Sequence, residues 1–490
     1  MYMKKITIIL IVFISVLSGC TDQFADFNTD KKNPAVVPGE SLFSNAQKEL
    51  SDYVNNTNVN INIFKLMSQY WTETTYVDEA NYDLITRNIP ANIYLRLYMR
   101  VLTDLKESAR LINATDVVAS QQAAKKNKLQ IIEMLDVYIY SQLVDVFGMV
   151  PYSQALDINN VYPKYDDGAA IYADLFKRLD AALTNLDANS GSFGSADLYY
   201  GGDAAAWVKF GNSLKIRMAI TIADADNATA KAAVESAAGK CFTSNADNCL
   251  MNYLTSSPNY NQLYVDLIAT GRHDFVASNT MIDIMNSLKD PRLSSYFTQV
   301  DTSTVAGVVK LAYKGGQYGY LNSFSQSSHI ADAIQAPNFQ GIMLTYTEIQ
   351  FYLAEAKERG YTLPLTAAQY YNEGIKSSFE FWGTSGLAAY LAKPEVAYAT
   401  ATGTTWKQKI GLQSWLANYT RGLEGYTTWR RLDYPIFNLP TSITSYTDIP
   451  VRFTFPVNEQ TLNAARYNEA AKALGAGGDK VTTKIFWDKY

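Results

Sequence analysis

Histidine and cysteine are almost missing from this 490-residue chain, which has two of the first and three of the second. Chemistry built on clustered imidazoles and thiolates, such as zinc centres and Cys–His nucleophiles, therefore has little to draw on. His273 and His329 are far apart and neither has a partner one helical turn away, so they read as loop histidines and not as metal ligands. Arg272-His273-Asp274 does not make a catalytic set, because adjacent side chains do not normally face one another, and no nucleophile elbow is present. A basic excess is also missing. Forty-two Lys and Arg stand against 47 Asp and Glu, which argues against nucleic acid as the main partner. Glycine (27) and proline (14) fall below the roughly 12% of an average chain, so most of the sequence should be regular structure. Long apolar runs are missing too, apart from one at the N-terminus.

That run is Ile6–Leu17, preceded by Lys4 and Lys5. At 1.5 Å per residue it reaches about 18 Å, too short for a hydrocarbon core of ~30 Å, and it reads as an export signal. Leu17-Ser18-Gly19-Cys20 follows, with the pattern of a bacterial lipoprotein processing site that would leave Cys20 lipidated. Residues 21–40 are polar and turn-rich and read as a tether. Asp26, Asn28 and Asp30 imitate the start of a calcium loop, but Lys31 stands where glycine is needed and Val37 where a bidentate glutamate is needed. With Cys20 spent on lipid, Cys241 and Cys249 remain, and an exported setting permits a disulfide between them as readily as two free thiols.

What the chain has in abundance is tyrosine, 35 residues of it, in a body that is 48% apolar and 18% charged. Tyrosine offers a flat apolar face and a hydroxyl at small entropic cost, which suits stacking surfaces. Some of these rings fall in helical patterns. Ile131–Phe147 is apolar on nearly all faces, with Gly148 and Pro151 to end it. Asp167 precedes Ile171, Leu175, Leu179, Ala182 and Leu186 at helical spacing, and Asp203 precedes Trp207, Phe210, Leu214 and Met218. Thr345 and Glu348 form a capping-box pattern closed by Gly360, and shorter helices are expected over Gln413–Tyr419 and Leu423–Arg431. Between the helices lie three long aromatic, polar stretches, 69–84, 253–275 and 313–326. Loops of that length inside a compact body are usually functional.

In order along the chain, LVDVFGMVPYSQAL (143–156), IYADLFKRLDAAL (171–183), DLYYGGDAAAWVKFGNSLKIRMAI (197–220), KDPRLSSYF (289–297), MLTYTEIQFYLAEAKERG (343–360), WRRLDYP (429–435), VRFTFPVNEQTLN (451–463) and KIFWD (484–488) resemble the SusD/RagB family of outer-membrane nutrient-binding lipoproteins of Bacteroidetes-type bacteria. The resemblance implies a mostly α-helical fold, with tetratricopeptide-repeat-like helix pairs packed against a loop-rich second half. It implies a signal peptide (1–19), a lipidated tether (20–40) and one nutrient-binding body (41–490). The partner it implies is a SusC-like TonB-dependent outer-membrane transporter, with the protein lipid-anchored in the outer membrane and facing the cell exterior. No cofactor and no metal are implied. Gly211 departs from the family pattern, and Gly422 and Gly425 should make one late helix more flexible than usual.

Trp207, Trp429, Arg430 and Arg431 sit in family-like helices and read as packing and ion-pair residues, and Glu348 as a cap. The ligand candidates sit in the loops: Trp71, Tyr76, Asn81 and Tyr82 in the first, Tyr260, Tyr264 and Arg272 in the second, Tyr318 and Tyr320 in the third. A ring can cover the C–H face of a sugar while Asn, Asp or Arg binds its hydroxyls. An extended peptide of the kind taken by the RagB branch can use the same surface. A surface glycoside hydrolase is the remote alternative, needing two carboxyls ~5–9 Å apart that no segment singles out. Trp71→Ala is expected to weaken ligand binding without unfolding the protein.

Overall fold

The computed structural model describes residues 37–305, 308–401, 403–440 and 448–490. The export signal, Cys20 and nearly all of the tether lie outside them. Helices dominate: α1 (Gly39–Val54), α2 (Thr103–Ala114), α3 (Gln122–Phe147), α4 (Gly168–Asn185), α5 (Ala204–Thr221), α6 (Asn227–Ala237), α7 (Tyr346–Glu358), α8 (Ala367–Phe381), α9 (Trp406–Ala417) and α10 (Gly422–Leu432). They pack in pairs, α1 on α2, α3 on α4, α5 on α6, α7 on α8 and α9 on α10. The α1 helix takes in Gly39 and Glu40, which the sequence assigns to the tether. A Cβ on Gly39 would meet Ile112 and the Ser108 carbonyl at under 3 Å, so the glycine lets the chain enter directly against α2.

Helix starts follow the short polar residues that precede them. Asp167 accepts from the Ala170 N–H at 3.0 Å, and Asp203 from the N–H groups of Ala205 and Ala206 at 2.8 and 3.2 Å. Thr345 accepts from the Glu348 N–H at 3.3 Å. The Glu348 carboxylate does not return to the cap as a full capping box requires; it pairs instead with Arg421. Gly148 and Gly360 end their helices in the left-handed region, with φ of 80° and 84°. The α3 helix starts nine residues before the apolar segment, because Gln122–Gln130 is rich in good helix formers although it lacks an apolar stripe. The α9 helix starts at Trp406 rather than Gln413, set by a capping box between Thr405 and Gln408.

The two late glycines do not loosen α10. A Cβ on Gly422 would lie 2.3 Å from the Phe64 backbone, and one on Gly425 would lie 2.2 Å from the Tyr70 hydroxyl. They admit the close approach of the segment that leads into the first aromatic loop.

The helix pairs enclose a polar seam as well as an apolar core. Arg217 of α5 is fully buried, 3.1 Å from Asp145 of α3 and 3.2 Å from Glu424 of α10. Asp145 also accepts from the Tyr172 hydroxyl (2.6 Å) and the Trp487 ring N–H (3.1 Å). Burial opposes ionisation of Glu424, and the charges of Arg217 and Arg421 more than offset it, holding this carboxyl below its ordinary range. Arg431 extends the seam to Glu355 at 2.9 Å, and Arg430 donates to the Asp145 carbonyl at 2.6 Å. Trp207 donates to Asp197 at 2.7 Å, and Trp429 stacks on Phe437. All four residues therefore act in packing and pairing.

Cys241 and Cys249 are free thiols, contrary to the disulfide that the sequence permits. Cys249 is held on strand β2 (Cys249–Met251) opposite Leu344 of β4 (Gly341–Leu344), while Cys241 turns its S–H to the Ala238 carbonyl at 3.2 Å. Burial pushes the Cys241 thiol up to about 11. Among the described residues no helix is long and apolar enough to cross a membrane.

Removing one member of a buried ion pair strands the other, so Arg217→Ala should lower the unfolding free energy by about 3–5 kcal/mol. Chemical denaturation measures this, and a loss below about 1 kcal/mol would contradict a structural role for the seam.

Candidate functional site

Three stretches far apart in sequence meet at one place. Strand β1 (Trp71–Glu73) pairs antiparallel with β3 (Phe275–Ala277), Trp71 opposite Ala277 and Glu73 opposite Phe275. The pairing runs on into the loops, where the Thr74 N–H donates to the Asp274 carbonyl at 2.9 Å and the Thr75 hydroxyl to the Asp274 carboxylate at 2.8 Å. The third stretch closes over both. The Gly316 N–H donates to the Ala277 carbonyl (2.8 Å), the Asn322 amide to the Glu73 carbonyl (3.0 Å), and the Asn81 amide to the Gly319 carbonyl (2.8 Å).

Several of the expected ligand rings hold this junction together from inside. Trp71 is fully buried, contrary to the expectation that it meets a ligand. Its ring N–H donates to the Tyr419 hydroxyl at 3.0 Å, and its face lies beside Phe275 and the buried Lys65. Tyr82 and Tyr318 are buried as well, corrections of the same kind. The Tyr318 hydroxyl donates to the Leu66 carbonyl at 2.9 Å, while that of Tyr82 accepts from Gln69 at 3.3 Å. Burial of the ring with the polar tip satisfied is how an amphipathic aromatic anchors a loop. The Asn81 amide is engaged by two backbone carbonyls and acts as a clamp. Tyr260 and Tyr264 are half-buried and pack edge to face on each other at 4.9 Å. Tyr320 is 36% exposed and is not among the residues that line the main cleft.

Two of the nine candidates come together at an open cleft, Tyr76 and Arg272. Both line a cleft of about 490 Å³. Tyr76 is 63% exposed and sits at the tip of its turn with φ of 53°, a strained backbone for a bulky residue. Arg87 and Arg272 approach its ring, their guanidinium carbons 5.8 and 5.9 Å from its centre. Each arginine is held by a carboxylate, Arg87 by Glu79 and Arg272 by Asp274. Asn58, Asn60 and Asp266 add polar groups to the lining, Asp266 from a π-helical turn (Val265–Ala269). The sequence reading missed Arg87, Asn58 and Asn60. The run of asparagines from 55 to 62 was the available signal for two of them.

Burial, and then the charge of Glu79, hold the Glu73 carboxyl well above its ordinary range at the floor of the cleft. Burial raises Glu79 too, against the pull of Arg87. Glu73 Oε2 accepts at 3.0 Å from the N–H of Ala80, the residue next to Glu79, so the two acids are close neighbours. On the rim, His273 stacks on Phe324 at 4.2 Å, and Phe324 on His329 at 3.8 Å. Among the described residues no group of three or more His, Cys, Asp or Glu is placed to hold a metal ion.

A second, apolar groove of about 530 Å³ lies on the helix-pair side, along a π-helical turn (Leu95–Leu102). Leu95, Met99, Val161 and Leu462 are exposed there.

Residues 31–456 match the family model SusD-like, described as starch-binding and associating with the outer membrane. The chain belongs to the SusD-like family. Its fold matches a solved chitin-binding protein with a TM-score of 0.80 at 26% identity, over 92% of this chain and 100% of that one. A SusD homolog from Bacteroides ovatus matches with a TM-score of 0.77 at 25% identity, over 92% and 99%. A chitin-binding SusD homolog from Flavobacterium johnsoniae matches with 0.73 at 23% identity, over 92% and 97%. No curated protein matches the chain. Membership in the family carries the outer-membrane association with it, and the mostly α-helical architecture of packed helix pairs agrees with the fold expected from the resemblance.

Two predictions follow from the buried floor. Trp71→Ala should cost about 3–5 kcal/mol of stability, seen as a lowered denaturation midpoint. Burial drives the Lys65 ammonium from its ordinary 10.5 to about 7. Between those values the unfolded chain holds a proton that the folded one sheds, so this group's contribution to stability rises with pH from about 7 towards 10.5. Denaturation across that range should show a shallower pH slope in Lys65→Met than in the unaltered protein.

Proposed function

We propose that this protein is an outer-membrane lipoprotein, anchored through Cys20 and facing the cell exterior, that captures a glycan in the Tyr76 cleft and delivers it to a SusC-like TonB-dependent transporter. The observation that carries the reading is the cleft itself. Tyr76 is 63% exposed, with two arginines beside its ring and acidic and amide side chains lining the same cleft. A sugar ring stacks on the one and is gripped at its edge by the others. Arg87 and Arg272, already tied to carboxylates, are preorganised donors and lose little freedom on binding. Among glycans, chitin oligosaccharides are the first to test, because a relative at 26% identity is a chitin-binding protein. The role is capture and hand-over, without bond cleavage. The apolar groove along Leu95 and Met99 supports the partnership, since an exposed patch of this kind on the helix-pair side suits a lasting protein contact.

Isothermal titration of the purified body with chitin, starch and plant oligosaccharides tests the reading. Tyr76→Ala should weaken the bound glycan by about tenfold, the worth of one stacking contact, with an unchanged melting temperature. Heat with a peptide mixture and none with any glycan would move the assignment to the RagB type of ligand. New reducing ends after incubation would revive the hydrolase.

A further inference from the structure

Beneath the Tyr76 cleft, Glu73 and Glu79 form a pair whose chemistry the binding reading does not use. Glu73 ends β1 and Glu79 lies on the return of the Tyr76 turn; they are 1% and 0% exposed. Each makes one conventional contact. Glu73 Oε2 accepts from the Ala80 backbone N–H at 3.0 Å, and Glu79 Oε1 accepts from Arg87 Nε. Glu79 Oε2 is buried and meets no donor among the surrounding N–H and O–H groups. Its neighbour is Glu73, whose own carboxylate accepts from the N–H of Ala80, the residue next to Glu79. Two ionised carboxylates only accept, so their approach is favourable when one of them carries a hydrogen.

The surroundings favour keeping that proton. Asp78 on the same turn adds negative charge beside Glu73. From the third loop the packed group is the Tyr318 hydroxyl, already donated to the Leu66 carbonyl. Arg87, on the segment that follows the turn, is engaged by Glu79, while across the cleft Arg272 is engaged by Asp274 and Asp266 adds a further acid. Among the described residues Arg87 is paired with Glu79 and not with Glu73, which leaves Glu73 as the proton carrier.

We propose that Glu73 and Glu79 share a single proton, and that this proton latches the Tyr76 turn in the shape that forms the cleft. When Glu73 gives it up to hydroxide or buffer base, two carboxylates are left in contact, the clamps on Ala80 and Arg87 are strained, and the turn opens. The closed turn binds the proton more tightly than the open one, so closure is favoured at low pH and lost as pH rises. Resting on the reading that this cleft takes the glycan, capture then weakens in alkaline conditions and is retained in acidic ones.

Hydrogen exchange of the 74–81 amides at about pH 6 and about pH 9, corrected for intrinsic rates, tests the latch without any ligand. Glu73→Gln supplies an N–H to Glu79 Oε2 and cannot titrate. The unaltered protein should lose about tenfold more protection in this segment than Glu73→Gln does, with α3 unchanged in both. Equal loss in the two proteins would overturn the latch. Should the variant fail to fold, carboxyl-¹³C glutamate labelling of the unaltered protein decides: one glutamate signal should titrate well above the ordinary carboxylate range, and none doing so overturns the proposal. Chitin hexamer titrated at both pH values separates the two readings. An opening turn with no binding at either pH leaves the latch standing and removes the glycan assignment, whereas binding that ignores pH while the turn opens overturns the latch's part in capture.

Discussion

Three residues of backbone pairing organise the functional half of this molecule. Trp71–Glu73 lies against Phe275–Ala277, and the segments that carry Tyr76, Glu79, Arg272 and Asp274 into the cleft flank that ribbon. Tyr76 and Glu79 follow the first strand, while Arg272 and Asp274 precede the second. So short a ribbon would not persist alone. It is fixed because Trp71 is driven into the core, with its ring N–H satisfied by Tyr419, and because Asn81 and Asn322 pin the third loop over it. The rings that look most suited to a ligand are thus the ones that build the site, and the ring that remains free is on the strained tip of a turn.

The helical scaffold obeys a different constraint. Arg217, Asp145 and Glu424 come from three helices and satisfy one another in a water-excluded seam that Arg421, Arg431 and Glu355 extend. Such charges specify which helices meet, since a mismatched partner would leave an ion unpaired in the core.

The frame was the legible part. Asp167, Asp203 and Thr345 announce helix starts by local chemistry, and Gly148 and Gly360 announce ends, so single-sequence reasoning reaches them directly. Family-like motifs in order supply the rest. The site was legible as three loops but not as a surface. Nothing local distinguishes Trp71, buried in a ribbon with the distant Phe275–Ala277 segment, from Tyr76, exposed a few residues later. Gly422 and Gly425 mislead for the same reason: their small size serves a close approach by Phe64 and Tyr70 that only the tertiary fold reveals. Arg87 was invisible because its role depends on a turn that brings it back over Tyr76.

The account stands on where a sugar sits. A crystal structure of the protein grown with a chitin oligosaccharide is the most direct measurement. It should place a pyranose ring against the face of Tyr76, with hydroxyl or acetamido oxygens accepting from Arg87 or Arg272. A glycan seated in the apolar groove beside Tyr94 and Met99, with the Tyr76 cleft untouched, would contradict it.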